Sequence, residues 1–175
     1  MSGDDPLDGA RYVELQVTTH FSFLRGASSP EELFSAAALL GLPALGIVDR
    51  NTFGGLVRAW DGQKVTGVRS IPGCRVDLTC GTSLLLYPKD RAAYSRLCRM
   101  LSEGKTRAGK GGCHLGWSDV EEWTEGVIGI LVPDRADATT GAGLARLARV
   151  FGDRAYMALS IRRRPHDAIL SLIHI

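Results

Sequence analysis

The sequence predicts an α/β fold built on a largely parallel sheet, open or barrel-like. Two observations carry this. Short apolar runs of strand length alternate with stretches of helix length along the chain. Several of those runs end in polar or charged residues, at the carboxyl ends of strands where such folds place their chemistry. The chain has 175 residues, 45% of them hydrophobic, enough for one domain with a sizeable core.

The elements follow in order. Val13, Leu15 and Val17 alternate with polar neighbours in residues 12–17, the period of a half-buried strand. Ser28 and Ser29 precede Pro30, Glu31 and Glu32. A serine cap, proline in the first turn and acids at the positive end of the dipole mark a helix start. Residues 42–48 are an apolar run, a buried strand whose carboxyl end carries Asp49, Arg50 and Asn51. Residues 53–66 suit a second helix. Residues 68–78 form a strand interrupted at Pro72 and Gly73, and 83–87 a buried strand bounded by Pro88. Residues 90–101 give an amphipathic helix with Tyr94, Leu97, Cys98 and Leu101 on one face, Asp90 as cap and Gly104 as stop. After a loop at 109–112 come a short helix at 118–123 opening on a serine cap, a strand at 127–132, a helix at 143–150 and a strand at 154–161. Residues 1–10 read as a flexible tail and 11–169 as the domain. Residues 170–175 (LSLIHI) match the translation of a common transposase-type sequencing adapter and read as an artefact, so the domain is expected to be incomplete.

Composition narrows the function classes. A formal charge of +2, from 21 basic and 19 acidic residues, neither demands nor excludes nucleic acid, so any such surface must come from local clustering. None of the four cysteines (Cys74, Cys80, Cys98, Cys113) forms a Cys-x-x-Cys pair, which disfavours a zinc knuckle. No signal peptide and no run long enough to span a bilayer is visible, and free thiols in a reducing cytoplasm are the simplest reading.

Five segments resemble one family in order and spacing: 14–33 (ELQVTTHFSFLRGASSPEEL), 42–59 (LPALGIVDRNTFGGLVRA), 67–73 (GVRSIPG), 87–99 (YPKDRAAYSRLCR) and 104–115 (GKTRAGKGGCHL). It is the polymerase-and-histidinol-phosphatase (PHP) domain at the amino terminus of bacterial C-family DNA polymerase III α subunits, and within it the error-prone, damage-tolerance branch. The resemblance covers about residues 11–165 and implies a distorted (β/α) PHP-type barrel, here truncated at its carboxyl end. In active members, strand ends carry His-x-His, Thr-Asp-His and a later acid, ligands suited to divalent metals.

Those ligand positions do not match. Aligned on Phe21, Ser22 and Gly26, the His-x-His positions fall on Gln16 and Thr18, the third histidine on Arg50 and the later acid on Arg75. The loop acid before Gly26 corresponds to Arg25. An amide and a hydroxyl are poor ligands, and a guanidinium repels a cation at any relevant pH. The expected arrangement is a former metal cavity filled by arginines paired with Asp49 or Asp77, with no catalytic residue and no metal. His20 reads as a solvated loop histidine, Asp49 as the partner of a neighbouring arginine, and the Gly54–Gly55 pair as packing or a phosphate cradle. Cys113 and His114 point apart and lack an orienting acid. Lys105, Arg107 and Lys110 put three cations in one stretch without an acid, either a contact to a phosphate backbone or a solvated loop. Arg162, Arg163 and Arg164 form a second basic cluster. Trp60, Trp117 and Trp123 are expected to be core or half-buried.

The resemblance implies the amino-terminal part of an error-prone DNA-directed DNA polymerase acting in translesion and repair synthesis in the cytoplasm. Its partners would be DNA through the parent and other damage-tolerance or replication subunits, with no membrane. Magnesium would serve the parent, whose palm carboxylates lie elsewhere, and this fragment would be inactive alone. Two other readings stay open: a free-standing metal-dependent PHP phosphoesterase, and a stand-alone DNA-binding module.

Overall fold

The computed structural model describes residues 12–135 and 137–159. The remaining predicted features, among them Arg162–Arg164 and the end of the predicted last strand, lie outside the described residues. Six strands form one sheet in chain order: β1 (Glu14–Val17), β2 (Ala44–Arg50), β3 (Arg69–Asp77), β4 (Ser83–Pro88), β5 (Val127–Leu131) and β6 (Ala155–Met157). The β1–β2, β2–β3 and β5–β6 pairs are parallel, whereas β4 runs antiparallel to both neighbours. Residues 78–82 are too few for a crossover, so β4 must return as a hairpin. The sheet is therefore mixed, more so than the alternation predicts, and forms an α/β half-barrel.

Helices α1 (Pro30–Leu39) and α2 (Leu56–Thr66) cover the β1–β3 part of the outer face. There Phe34, Leu45, Ile47, Ala59 and Val68 form one core. Helices α3 (Arg91–Ala108), α4 (Trp117–Trp123) and α5 (Ala138–Phe151) cover the rest, with Leu84, Leu86, Leu97, Met100, Leu115, Leu147 and Phe151 fully buried against β3–β5. A smaller core of Val48, Leu85, Tyr87 and Val132 occupies the inner face. Beside it a cavity of about 820 Å³ lies between β1 and β6, lined by Leu15, Gln16, Leu85, Ile128, Ile130 and Tyr156 among others.

The predicted start of α1 is met in detail. Ser29 accepts from the Glu32 amide and Glu32 returns a carboxylate to the Ser29 amide, a reciprocal capping box. Other boundaries move for identifiable reasons. β3 runs unbroken through Pro72 and Gly73, because Gly73 is where the Tyr87 ring crosses the strand: a Cβ there would meet Tyr87 Cε1 at 2.5 Å. α3 passes through Gly104 and ends at Gly109, whose φ of +74° suits a glycine terminus. Gly104 is a packing notch, since a Cβ would stand 2.7 Å from Leu115. α2 begins after the glycine pair, α4 is capped from Gly116 with Asp119 accepting its amide, and α5 starts early, at an Asp137 cap. Trp117 is buried and Trp123 half-buried, but Trp60 is 54% exposed with the Lys64 ammonium 5.6 Å from its ring centre, so the expectation of burial fails for it. The four cysteines are free thiols.

An arginine-lined cleft at the strand ends

The parallel strands β1–β3 deliver their carboxyl ends to one rim of the half-barrel. Their order there follows from the sheet register, which sets Asp49 opposite Cys74 and Arg50 opposite Arg75. Residues two apart in β3 share a face, so Arg75 and Asp77 project together. Asp77 takes the Arg50 Nε on one oxygen at 2.5 Å and the Arg75 Nε on the other at 2.9 Å. Ser83 at the start of β4 donates its hydroxyl to Asp77 at 2.8 Å while accepting from Arg75 Nη2 at 2.9 Å. Burial pushes the Asp77 carboxyl's pKa up, but the hydrogen bonds from Arg75 and Ser83 and the charges of Arg75 and Arg50 outweigh it and hold it below the usual carboxylate value.

Asp49 does not pair with an arginine, contrary to expectation. It is 1% exposed and accepts from the Thr19 amide at 2.9 Å, from the Thr19 hydroxyl, and from the Ser22 hydroxyl at 2.7 Å. Ser22 Oγ in turn accepts from the Arg50 amide at 2.8 Å. Alternation along β2 puts Asp49 on the helix-covered face with Leu45 and Ile47, under the β1 loop, and Arg50 on the inner face with Val48, so only Arg50 reaches Asp77. Gly55 allows this: a Cβ there would fall 2.4 Å from Asp49 Oδ2. Packing, not a phosphate cradle, explains that glycine.

Sequence reasoning missed Thr19, Ser22 and Asn51. Asn51 has φ of +53°, a conformation asparagine tolerates, and turns the chain at the end of β2. Its amide N–H donates to the Arg75 carbonyl at 2.7 Å and its side-chain oxygen accepts from the Asp77 amide at 3.2 Å. The signal available was the polar triplet Asp49-Arg50-Asn51 ending an apolar run. The hydroxyl-rich β1 loop gave no comparable pointer.

The structure brings Arg25, Arg50 and Arg75 together in a cleft of about 660 Å³, with Arg135 from the loop after β5 and Asp77, Asp134 and Asp137. Gln16 instead lines the inner cavity, and Thr18 lines neither space. His20 is exposed and stacks on Phe21 with ring centres 4.5 Å apart. Lys105, Arg107 and Lys110 lie at the end of α3 and just beyond it, away from the cleft lining. Lys105 and Lys110 are exposed, while Arg107 Nη1 is 2.7 Å from Asp119. Among the described residues, no three His, Cys, Asp or Glu side chains group as a metal-binding set. The residues at the family's ligand positions do not fit a cation: Gln16, Thr18, Arg25, Arg50 and Arg75 put an amide, a hydroxyl and three guanidiniums where a metal cluster would need imidazoles and acids. No helix among the described residues is long and apolar enough to cross a membrane.

Comparison with known proteins places this geometry. The PHP domain family matches residues 14–167. Error-prone DNA polymerase 2 of Agrobacterium fabrum is 58% identical over 156 residues, and its counterpart of the same name in Rhizobium meliloti is 58% identical over 159. These matches cover 89% and 91% of this chain but 14% and 15% of those proteins, so the chain spans about one seventh of its relatives' length. The error-prone DNA polymerase of Caulobacter vibrioides is 50% identical over 151 residues. Among solved structures, a candidate metal-dependent phosphoesterase from Bifidobacterium adolescentis superposes with a TM-score of 0.69 at 13% identity, covering 94% of this chain and 83% of its own. An amidohydrolase from Chromobacterium violaceum, solved with bound sulfate and no metal, gives 0.62 at 15% identity, covering 82% and 75%.

Proposed function

The chain belongs to the PHP domain family, and from that premise we propose that it is the amino-terminal accessory domain of an error-prone DNA polymerase, metal-free and without hydrolytic chemistry of its own. The parent would copy damaged templates during translesion and repair synthesis in the cytoplasm, meeting DNA and other replication or damage-tolerance subunits. The observation that supports the polymerase reading is identity of 56–58% to error-prone polymerases across most of this chain. The observation that supports the metal-free reading is the Arg50–Asp77–Arg75 arrangement at the rim. Magnesium belongs to the parent's palm, where two-metal nucleotidyl transfer needs clustered carboxylates.

In this reading the domain's residues position rather than react. Asp49 fixes the β1 loop, Asp77 braces the ends of β2, β3 and β4, and the rim is held shut to metals by charge. A DNA-backbone contact at the end of α3 would rest on Lys105 and Lys110, with Arg107 contributing only by exchanging Asp119 for a phosphate.

Metal analysis of the purified protein tests the proposal. Zinc and manganese are expected well below one equivalent after dialysis, with no phosphatase activity toward phosphomonoesters. Stoichiometric metal, lost on substituting residues 16–75, would overturn the metal-free reading and favour the phosphoesterase one. For the polymerase reading, a long open frame encoding palm aspartates downstream of Asp167 in the genome is the expected result, and a stop codon soon after is the contrary one.

A further inference from the structure

We infer that the arginine-lined cleft binds a phosphate group directly, with guanidiniums in place of metal ions. The ligand class is a tetrahedral phosphate oxyanion, either free phosphate or the terminal phosphate of a nucleic-acid strand. This inference rests on the metal-free reading of the rim.

The argument begins with charge. One carboxylate, Asp77, braces two guanidiniums through their Nε atoms, so one positive charge at the strand ends is left over. Among the described residues, both Nη groups of Arg50 carry no hydrogen bond, and the side chain is 42% exposed. Arg75 commits Nε and Nη2 and is 25% exposed. The bracing matters because a planar fork held in place loses less entropy when it takes a bidentate oxyanion. Arg25 and Arg135 line the same cleft, and Arg25 makes no ion pair with the described residues.

The opposing charges are also on the page. Asp134 and Asp137 line the cleft beside Arg135. Asp137 is occupied as the α5 cap, accepting the Thr140 amide at 2.9 Å. Four arginines against three aspartates leave the lining net cationic by one charge. Asp137 is held at the α5 cap with Arg135 as its neighbouring charge, and Arg25, Arg50 and Arg75 share the cleft with Asp77, which is braced between two of them. A space of 660 Å³ admits a phosphate with room for what it is attached to. The cleft lining also carries the Thr82 and Thr139 hydroxyls, whereas those of Ser83 and Thr140 already donate to Asp77 and to the Arg135 carbonyl.

Calorimetric titration of metal-stripped protein with inorganic phosphate, and 31P line broadening, read the site. Saturable binding is expected, weakened about tenfold or more by Arg50→Gln. Arg25→Gln, which breaks no ion pair among the described residues, keeps the test independent of folding and should weaken binding in the same direction. Arg146→Gln, outside the cleft and paired with Glu121, should leave it unchanged. Single-stranded oligonucleotides with and without a 5′-phosphate separate the sources. Tighter, Arg50-dependent binding of the phosphorylated strand alone assigns a strand end, and equal binding of both with competition by inorganic phosphate assigns the free ion. Absence of saturable phosphate binding, or binding indifferent to both Arg25→Gln and Arg50→Gln, overturns the inference. That failure is distinct from failure of the metal-free reading, which shows as stoichiometric metal before stripping.

Discussion

Asp77 is where the charge balance of the rim is decided. Its carboxyl is held below the ordinary range despite partial burial, chiefly by Arg75 and Ser83 and then by Arg50. A group whose folded pKa is depressed stabilises the fold fully above its unfolded value, near pH 4, and loses that contribution as pH falls through the lower folded value. Acid denaturation should therefore be less steep below about pH 4 in Asp77→Asn than in the parent chain. Urea unfolding at a series of pH values measures it, and parallel curves would remove Asp77 from the balance. The residue-by-residue reading of the rim was partly legible in the sequence. Arg50 and Arg75 stand where acids or imidazoles were expected, and Asp77 is two residues along the same strand face. Asp49 was misassigned because its neutral partners Thr19 and Ser22 belong to a loop with no periodicity. In a buried pocket a carboxylate can be satisfied by hydrogen bonds alone, and that choice leaves no charge pattern to find.

At the level of elements, caps and apolar periods carried most of what could be read, and glycines most of what could not. Ser29 and Asp90 announced α1 and α3 through side chains that serve no other purpose there. Gly104 resembled a helix stop, yet it serves the tertiary contact with Leu115, information held eleven positions further on. Gly104→Ala should destabilise the domain by about 1–3 kcal/mol through the clash with Leu115 and Cys113. Gly141→Ala, in α5 with no atom within 4 Å of the added Cβ, should stabilise by about 0.5–1 kcal/mol. Thermal or urea unfolding of the pair checks both signs, and destabilisation by Gly141→Ala would contradict the contact argument. The antiparallel β4 was hidden for a related reason. Apolar strands buried on both faces read alike in either direction, and only the shortness of 78–82 betrays the return.

For the whole molecule, the described residues leave β1 and β6 as sheet edges flanking an inner cavity whose lining includes Leu15, Ile128, Ile130 and Tyr156. Open edges beside apolar surface favour self-association. Sedimentation of the isolated chain should show weight-average mass rising with concentration, with binding of an apolar fluorescent dye. A monomer at every concentration without dye binding would count against an open edge beside exposed apolar surface. The outer surface contributes as well, since Phe23, Leu24, Leu39 and Val65 are each at least 84% exposed. The α/β class and the order of elements were legible because both depend on local periods. The enclosure of the half-barrel was not, because it depends on which segments meet across it.

Tyr87 spans that interior. Its ring lies over Gly73, its hydroxyl would collide with a Cβ on Gly46 at 2.6 Å, and it donates to the Leu15 carbonyl. One phenol therefore touches four consecutive strands, from β4 back to β1. Positions 46, 73 and 87 are consequently coupled: a side chain at either glycine requires the tyrosine to shrink, and shrinking it relieves only part of the constraint, because a Cβ on Gly46 would still stand 2.9 Å from Leu15 Cα and one on Gly73 2.9 Å from Val48 Cγ1. Mutational tolerance at these three sites should thus be read jointly, with Leu15 and Val48 as the neighbours that remain when the ring is removed.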